Sequence, residues 1–248
     1  MELKEQALNL YKIAFPSDPA DFAADFINRF FENSCLYTVK DEKLVSMLFL
    51  LNANITFSGK IYGAYYLYAA ATHPDFRSSG LMANLIEKAK EKCDLEGKFL
   101  VTKPAETSLY SYYERFGFET AFFAEEKEIS LNKTATPLLK ITKREYIEKR
   151  EQLLKNTPHL TLNDMPFALS FFTLLGDENT VAAVDLSETP PRVKEFISKT
   201  ESGTDKLLCA INKKSAIFTL SGNTPFAMLI HPKTLKTPKN IHFGLALD

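Results

Sequence analysis

The stretch from Ala69 to Ile86 contains the residue types that can bind a phosphate group. An apolar run ends at His73-Pro74, a short polar loop spans Arg77–Gly80, and helical spacing begins at Leu81. A helix start offers amide N–H groups without intrahelical partners and roughly half a positive charge from its dipole. Glycine lets a ligand approach the backbone, and arginine adds a fork of donors. The sequence therefore predicts a phosphate site where a strand, a loop and a helix meet.

The three alanines before this loop, Ala69, Ala70 and Ala71, indicate that a ligand also lies along the strand. A strand that ends beside a ligand leaves N–H and C=O groups that the ligand must satisfy. Small side chains permit that approach. The alternative is an ordinary strand–loop–helix connection that binds no ligand.

Two motifs in this region resemble those of the GNAT superfamily of N-acetyltransferases. Arg77-Ser-Ser-Gly80-Leu-Met82 is similar to the family's pyrophosphate loop, R/Q-x-x-G-x-G/A, although Met82 stands where the family favours a small residue. Tyr113-x-x-x-Gly117-Phe118 is similar to the family's Y-x-x-x-G-F and follows a predicted strand, Lys98–Lys103. The resemblance covers about residues 1–130, and the order of its elements agrees with the family.

The resemblance implies an α/β (α+β) fold with a GNAT-like mixed central sheet flanked by helices. It also implies an enzyme that moves an acetyl group from acetyl-CoA to a primary amine of a small molecule or peptide, by direct attack in a ternary complex. The pantetheine arm is expected in a wedge between two splayed parallel strands. The cofactor-binding residues expected from the resemblance are Ala69, Ala70, Ala71, Thr72, Arg77, Ser78, Ser79, Gly80, Leu81 and Met82.

Two catalytic groups follow from this chemistry. A free backbone N–H near Ala71 would stabilise the carbonyl oxygen as it gains negative charge. Tyr113 would donate a proton to the leaving sulfur, since tyrosine is protonated at neutral pH. The alternative for Tyr113 is packing beside Tyr110 and Tyr112.

The group that takes the amine proton stays open at this point. Glu106, Glu119 and His73 are candidates without support from spacing. A further candidate comes from a resemblance to two-domain acetyltransferases of the enhanced intracellular survival type, in which the terminal carboxylate reaches the acceptor site. Here that carboxylate would belong to Asp248.

Hydrophobic spacing predicts the elements that position these residues. In the first half we expect helices over residues 3–15, from Asp18 as N-cap to Glu32, over 81–94 and from 106 to 117. We expect strands over 35–39, 44–51, 61–71, 99–101 and 118–129. The strands at 61–71 and 99–101 are expected to run parallel, joined by a right-handed crossover.

Lys133–Pro137 is predicted to separate an acetyl-CoA-binding domain, residues 1–132, from a smaller α+β domain, residues 137–248. The order of elements suggests a degenerate copy of the first domain. Helices are predicted over 143–155, 164–175 and 191–199, and strands over 180–186, 206–212, 215–220, 225–230 and 241–246. The later strands read as an antiparallel meander.

Composition limits the other possibilities. The chain has 248 residues, 45% of them hydrophobic, and a formal net charge of -1, so nucleic acid is not expected as the principal partner. Three scattered cysteines, Cys35, Cys93 and Cys209, favour free thiols in a reducing cytoplasm over a disulfide framework or a zinc site. We expect no membrane span, no leader and no metal. The functional alternatives are a non-catalytic acyl-CoA-binding module and an aminoacyl transferase that uses charged tRNA and would need a basic groove.

Overall fold

The computed structural model describes residues 2–232, 235 and 240–247. The helices are α1 Leu3–Ala14, α2 Ala20–Ser34, α3 Leu81–Glu96, α4 Ser108–Glu114, α5 Lys143–Leu153, α6 Met165–Ala168 and α7 Gly203–Ala210. The strands are β1 Cys35–Lys40, β2 Lys43–Phe57, β3 Lys60–Thr72, β4 Phe99–Thr102, β5 Glu119–Ser130, β6 Leu139–Lys140, β7 His159–Leu162, β8 Thr173–Gly176, β9 Thr180–Asp185, β10 Arg192–Ser198, β11 Ser215–Ser221 and β12 Thr224–Ile230.

The chain forms two compact units that are interleaved along the sequence. The first unit comprises Met1–Ala53, Gly63–Glu119 and Met228–Lys236, and the second comprises Asn54–Tyr62, Thr120–Ala227 and Thr237–Asp248. The main passage from the first unit to the second therefore falls after Glu119. The division into domains at residues 133–136 stays a prediction.

The sheet of the first unit runs in the order β1, β2, β3, β4, β12. It is mixed, because β1 and β2 are antiparallel, β3 and β4 are parallel, and β12 is antiparallel to β4. The parallel pairing of β3 with β4, which are joined through α3, confirms that these strands run parallel, and the right hand of the crossover stays a prediction.

Helices cover both faces of this sheet. On one face, Leu85 and Ile86 of α3 and Tyr113 of α4 share an apolar cluster with Tyr65 and Leu67 of β3. On the other face, Phe26 of α2 is fully buried against Phe49 of β2 and Tyr68 of β3, with ring centroids 4.8 and 5.2 Å away. The predicted fold class, a mixed sheet flanked by helices, is confirmed.

The second unit contains a sheet in the order β5, β11, β10, β9, β8, β6. Its pairs are antiparallel except for β10 with β11. Leu207 and Leu208 of α7 pack against Ala182, Val193 and Phe218 of the sheet.

A buried ion pair joins α5 to β10 in the second unit. The Arg150 Nε lies 2.9 Å from a carboxylate oxygen of Glu195, and the two residues are 1% and 0% exposed. Tyr146 donates a further hydrogen bond to Glu195, and the His242 ring nitrogen lies 2.8 Å from the same carboxylate. Within the described chain this polar network is fully hydrogen-bonded, which is what makes burial of its charges tolerable.

The elements predicted for the first half agree with the structure except at one cap. The helices before residue 35, the hairpin of β1 and β2, and the elements from β3 to α4 are confirmed. The predicted cap Asp18 is wrong, because Pro19 occupies the cap position of α2. The Asp18 carboxylate instead accepts a hydrogen bond from the Tyr11 hydroxyl.

The predicted helix at residues 191–199 is wrong, since this segment is strand β10. Val193, Glu195 and Ile197 are buried and their neighbours are partly exposed, which is the two-residue period of a strand. Glu195 obscures that period in the sequence, because a glutamate is rarely buried without a partner such as Arg150.

The predicted strand at 206–212 is wrong, since residues 203–210 form α7. The predicted helix at 164–175 is also wrong beyond its first turn. Asp164 does cap that turn through the Phe167 N–H, but the chain then continues through a 3-10 turn into β8, which pairs with β9. Pairing with the next strand along the chain overrides the local helical spacing in this segment.

The predicted meander of late strands is likewise wrong. β11 pairs with β5 and β10, whereas Met228–Ile230 of β12 pairs with Leu100–Thr102 of β4. The segment predicted as a strand at 241–246 makes one isolated bridge, between His242 and His159.

Candidate active site

The first unit contains a cleft of about 850 Å³ beside the loop that the sequence singled out. The residues that line it come from the end of β3, the loop, the start of α3, one side of α4 and the two residues that follow α4. They are Ala70, Thr72, Phe76, Arg77, Ser78, Ser79, Gly80, Leu81, Met82, Ala83, Leu109, Tyr112, Tyr113, Arg115 and Phe116. The structure thus brings the loop and Tyr113 to one cavity.

The cleft lies beside the point where β3 outruns its parallel partner β4. The register pairs Ala64–Leu67 with Phe99–Thr102, and β3 continues to Thr72 beyond that pairing. The Thr102 hydroxyl donates to the Leu67 carbonyl at 3.3 Å at the end of the paired region. Beyond it the two strands are no longer paired, and the wedge that opens there has Ala70 and Thr72 on its β3 side.

A bulge in β3 at Ala69, beside this wedge, changes which backbone groups face β4 and which face β2. Ala69 has a φ of 49°, in the left-handed region, although it lies within a strand. Before it, the Leu67 carbonyl points toward β4, where Thr102 donates to it. After it, the Ala71 carbonyl accepts a hydrogen bond from Ser46 of β2. In a regular strand the carbonyls of residues 67 and 71 would point toward the same neighbouring strand. Here one points toward β4 and the other toward β2, so the bulge has exchanged the two directions.

The reversal determines which backbone groups face the wedge. The His73 N–H donates to Val45 of β2 at 2.9 Å, so residues 71 and 73 both present their backbone to β2. Residues alternate along a strand, and Ala70 and Thr72 therefore present theirs toward the wedge. This direction favours Ala70 and Thr72 over the predicted Ala71 as amides that meet a ligand. Ala69 and Ala71 are buried and lie outside the cleft lining.

The loop after β3 is held by its own hydrogen bonds. A 3-10 turn spans Pro74–Phe76, and the Ser79 hydroxyl donates to the Phe76 carbonyl. The Arg77 Nε donates to the Thr72 carbonyl at 3.3 Å, which fixes the exposed guanidinium beside the end of β3. Ser78 has a φ of 60°, as expected for a tight turn of the backbone.

Gly80 connects this loop to α3 in a conformation that suits glycine. Its φ of 77° lies in the left-handed region, and a Cβ built at this position would meet nothing within 4 Å. Because Gly80 has no side chain to cap the helix, the first N–H groups of the 16-residue helix α3 depend on other partners. Open space, free helix amides and Arg77 together suit an anionic ligand. Met82 also lines the cleft while packing against the apolar cluster beneath it.

One side of helix α4, continued by Phe116 just after the helix ends, also lines the cleft. Leu109, Tyr112, Tyr113 and Phe116 recur at helical spacing and all line the cleft. Tyr113 is 6% exposed, and burial raises its pKa, an effect that a hydrogen bond with Thr102 partly offsets. Its hydroxyl therefore stays protonated well beyond neutral pH.

The sequence reasoning missed several lining residues, namely Phe76, Ala83, Leu109, Tyr112, Arg115 and Phe116. The helical spacing around Tyr113 was the signal for those on α4. Arg115 adds a second cation to the cleft, with its guanidinium 4.9 Å from the centre of the Tyr112 ring. Such stacking holds the charge over the ring face.

The predicted candidates for the proton acceptor do not line the cleft. Glu106 and Glu119 are exposed, and His73 accepts a hydrogen bond from the Asp75 N–H on the loop. Asp248 lies outside the described residues. Among residues 2–232, 235 and 240–247, no group of three potential ligands that could hold a metal ion is found. No helix in the same part of the chain has the length and apolar character needed to cross a bilayer.

Comparison with known families identifies one match in the sequence. A model described as an acetyltransferase (GNAT) domain matches residues 2–121. No curated protein sequence matches the chain significantly.

Solved structures of similar fold cover most of the chain. A GCN5-related N-acetyltransferase from Kribbella flavida superposes with a TM-score of 0.68 and 14% identity, over 91% of this chain and 67% of that one. Another, from Anabaena variabilis ATCC 29413, gives 0.71 and 15%, over 91% and 69%. Eis1 from Mycobacterium abscessus gives 0.63 and 12%, over 90% of this chain and 64% of that one. At these identities the likeness establishes the fold alone.

Proposed function

Residues 2–121 form a GNAT acetyltransferase domain, and from this premise we propose that the protein transfers an acetyl group from acetyl-CoA to the primary amine of a small molecule or peptide. The resemblance expected from the sequence is thereby confirmed at the level of the family. The likeness to Eis1 extends it to the fold of the enhanced intracellular survival type.

The observation that carries the proposal is the continuity of the wedge with the anion-binding loop. Residues 69–72 leave β4 at one end of the cleft, and Gly80 opens the start of α3 at the other. A nucleotide thioester needs both features, because its diphosphate requires donors and its pantetheine arm requires a narrow channel with backbone partners. The residues present therefore fit acetyl-CoA.

Each part of the cleft would hold a different part of the cosubstrate. Arg77, Ser78, Ser79 and the first amides of α3 would hold the diphosphate, with Gly80 allowing close approach. Ala70 and Thr72 would hold the pantetheine amides along the wedge. Leu81 and Met82 line the cleft and remain proposed contacts of the cosubstrate, whereas Ala69 and Ala71 lie outside the lining, and the proposal gives their predicted place to Ala70 and Thr72.

Acetyl-CoA supplies the acetyl group as a thioester, whose carbonyl oxygen gains negative charge and whose sulfur leaves. A backbone N–H at the mouth of the wedge would stabilise that oxygen. Tyr113 would hold a proton at its hydroxyl and donate it to the sulfur, a role that its raised pKa permits. Direct attack requires the amine to reach the wedge from a side that the cosubstrate leaves open.

Calorimetric titration with acetyl-CoA, followed by a screen of amines with a thiol-release assay, tests this proposal. We expect binding of acetyl-CoA and release of thiol with at least one class of amine. Tyr113→Phe should lower kcat by about 100-fold without weakening binding. Binding with no turnover of any amine would instead identify an acyl-CoA-binding module, and absence of binding would contradict both.

A further inference from the structure

A chain of three polar side chains lies on the face of β3 opposite the cleft. The Tyr11 hydroxyl of α1 is 2.6 Å from a carboxylate oxygen of Asp18 and 3.2 Å from the hydroxyl of Tyr68. All three residues belong to the first unit. None was singled out by the sequence motifs for a role in proton transfer.

The hydrogen bonds of this chain have a defined direction. A carboxylate can only accept, so Tyr11 donates its one proton to Asp18. Tyr11 then has only lone pairs left for Tyr68, and Tyr68 must be the donor in that pair. A hydroxyl oxygen has two lone pairs, so the Tyr68 oxygen can act as the acceptor for a substrate proton while it donates its own proton to Tyr11.

The middle residue of this hydrogen-bonded series is more deeply buried than the two residues at its ends. Tyr11 is fully buried, and burial raises its pKa, which keeps its proton in place between transfers. Tyr68 and Asp18 are only partly buried. The two ends of this hydrogen-bonded series are therefore partly accessible, whereas its middle is shielded from water.

The position of Tyr68 places the chain beside the proposed chemistry. Tyr68 follows the last residue of β3 that pairs with β4 and directly precedes the bulge at Ala69. Its ring packs against Phe26 of α2, whereas the cleft and Tyr113 lie on the α3 and α4 side of the sheet. If the cosubstrate fills the cleft, an amine that attacks directly must come from the face that carries Tyr68.

We propose that Tyr68 accepts the proton of the attacking amine and that Tyr11 and Asp18 carry it onward to solvent. This inference rests on the proposed acetyl transfer. As the C–N bond forms, the N–H bond breaks and its electron pair stays on nitrogen. The proton joins the Tyr68 oxygen, the Tyr68 proton passes to Tyr11, and the Tyr11 proton passes to Asp18. Asp18, now a carboxylic acid, returns the proton to water and restores the starting state.

The kinetic test uses variants that keep the shapes of the three hydrogen-bonded side chains. Asp18→Asn retains an oxygen that accepts from Tyr11 but has little affinity for a proton. Tyr11→Phe and Tyr68→Phe each remove one hydroxyl. Each change should lower kcat by about 100-fold while the KM values for acetyl-CoA and amine stay within about threefold. Asp18→Glu should recover part of the loss, and Asp25→Asn, the same charge change on an exposed position of α2, should leave kcat unaltered.

Two further measurements separate a relay from a structural role. Because the three groups act in series, the double variant Tyr11→Phe/Asp18→Asn should be no slower than the slower single variant. In the ligand-free protein, Asp18→Asn should shift the ζ-¹³C NMR signals of both Tyr11 and Tyr68, and Asp25→Asn should shift neither.

Wild-type kcat in Asp18→Asn, or losses that multiply in the double variant, would overturn the relay while leaving acetyl transfer intact. Absence of turnover by the wild type with every amine would overturn both proposals, and that result is read before any variant is made.

Discussion

Replacing Gly80 by alanine separates the role of this residue in the backbone from its role toward a ligand. Gly80 and Gly97 stand at the two ends of α3, with φ values of 77° and 64°, and a Cβ at either position would meet nothing within 4 Å. The two glycines therefore face the same conformational demand in equally open surroundings. Only Gly80 lines the cleft.

The expected loss of stability is the same for both substitutions. A left-handed conformation costs a non-glycine residue roughly 1–2 kcal/mol. Alanine also restricts the unfolded chain, which offsets roughly 0.4–1 kcal/mol of that cost. Gly80→Ala and Gly97→Ala should each lower the free energy of unfolding by about 1 kcal/mol.

The expected loss of affinity differs between them. A Cβ on Gly80 would occupy space that a phosphate needs to reach the first amides of α3. Loss of one hydrogen bond to a charged group costs roughly 1.5–3 kcal/mol. The Kd for acetyl-CoA should therefore rise about 10- to 100-fold in Gly80→Ala, whereas Gly97→Ala should bind as the wild type does.

Urea denaturation and calorimetric titration with acetyl-CoA measure the two quantities on the same samples. Gly97→Ala controls for any loss of affinity that follows from lower stability alone. Equal Kd values for the two variants, at equal stability, would refute the placement of the diphosphate at Gly80.

Two further predictions concern charged side chains. Arg77→Gln should weaken acetyl-CoA binding about tenfold in low salt, because it removes a positive charge from the cleft. The melting temperature should not change, because Arg77 is exposed. Calorimetry that finds the wild-type Kd would contradict this prediction. Arg150→Met should lower the free energy of unfolding by about 3–5 kcal/mol at pH 7, because it leaves Glu195 buried without its cation. Burial alone would raise the pKa of Glu195, but Arg150 holds it well below its usual range, so this stabilisation is present above about pH 4.3 and is lost as pH falls. The difference between Arg150→Met and wild type in urea denaturation should accordingly shrink toward acidic pH, and Arg144→Met, at an exposed ion pair of the same helix, should match the wild type throughout.

The loop and its flanking elements were predictable because their determinants are local. Gly80 and the apolar spacing after it define the start of α3, and the alanines before it mark the end of β3. The bulge at Ala69 was not predictable, since alanine has no preference for the left-handed region. That one residue decides whether Ala70 or Ala71 faces the wedge.

The second unit was harder to predict because some of its side-chain contacts join positions that are far apart in the sequence. Glu195 looks like a helix-surface residue until Arg150, 45 positions away, is placed beside it. The Tyr68–Tyr11–Asp18 chain was hidden for the same reason, as Tyr11 and Tyr68 are 57 positions apart. Sequence spacing shows which residues share one element but not which elements meet.

The pairing of β12 with β4 has a consequence for protein synthesis. Leu100 and Val101 are fully buried at the strand that Leu229 and Ile230 complete. A ribosome that has made residues 1–121 has produced the whole stretch matched by the family model, yet β4 still lacks its neighbour on one side. Such an open strand edge invites pairing with other chains. At about 5–20 residues per second, that edge stays uncovered for several seconds. Fragments cut after residue 121 should therefore aggregate in the cell.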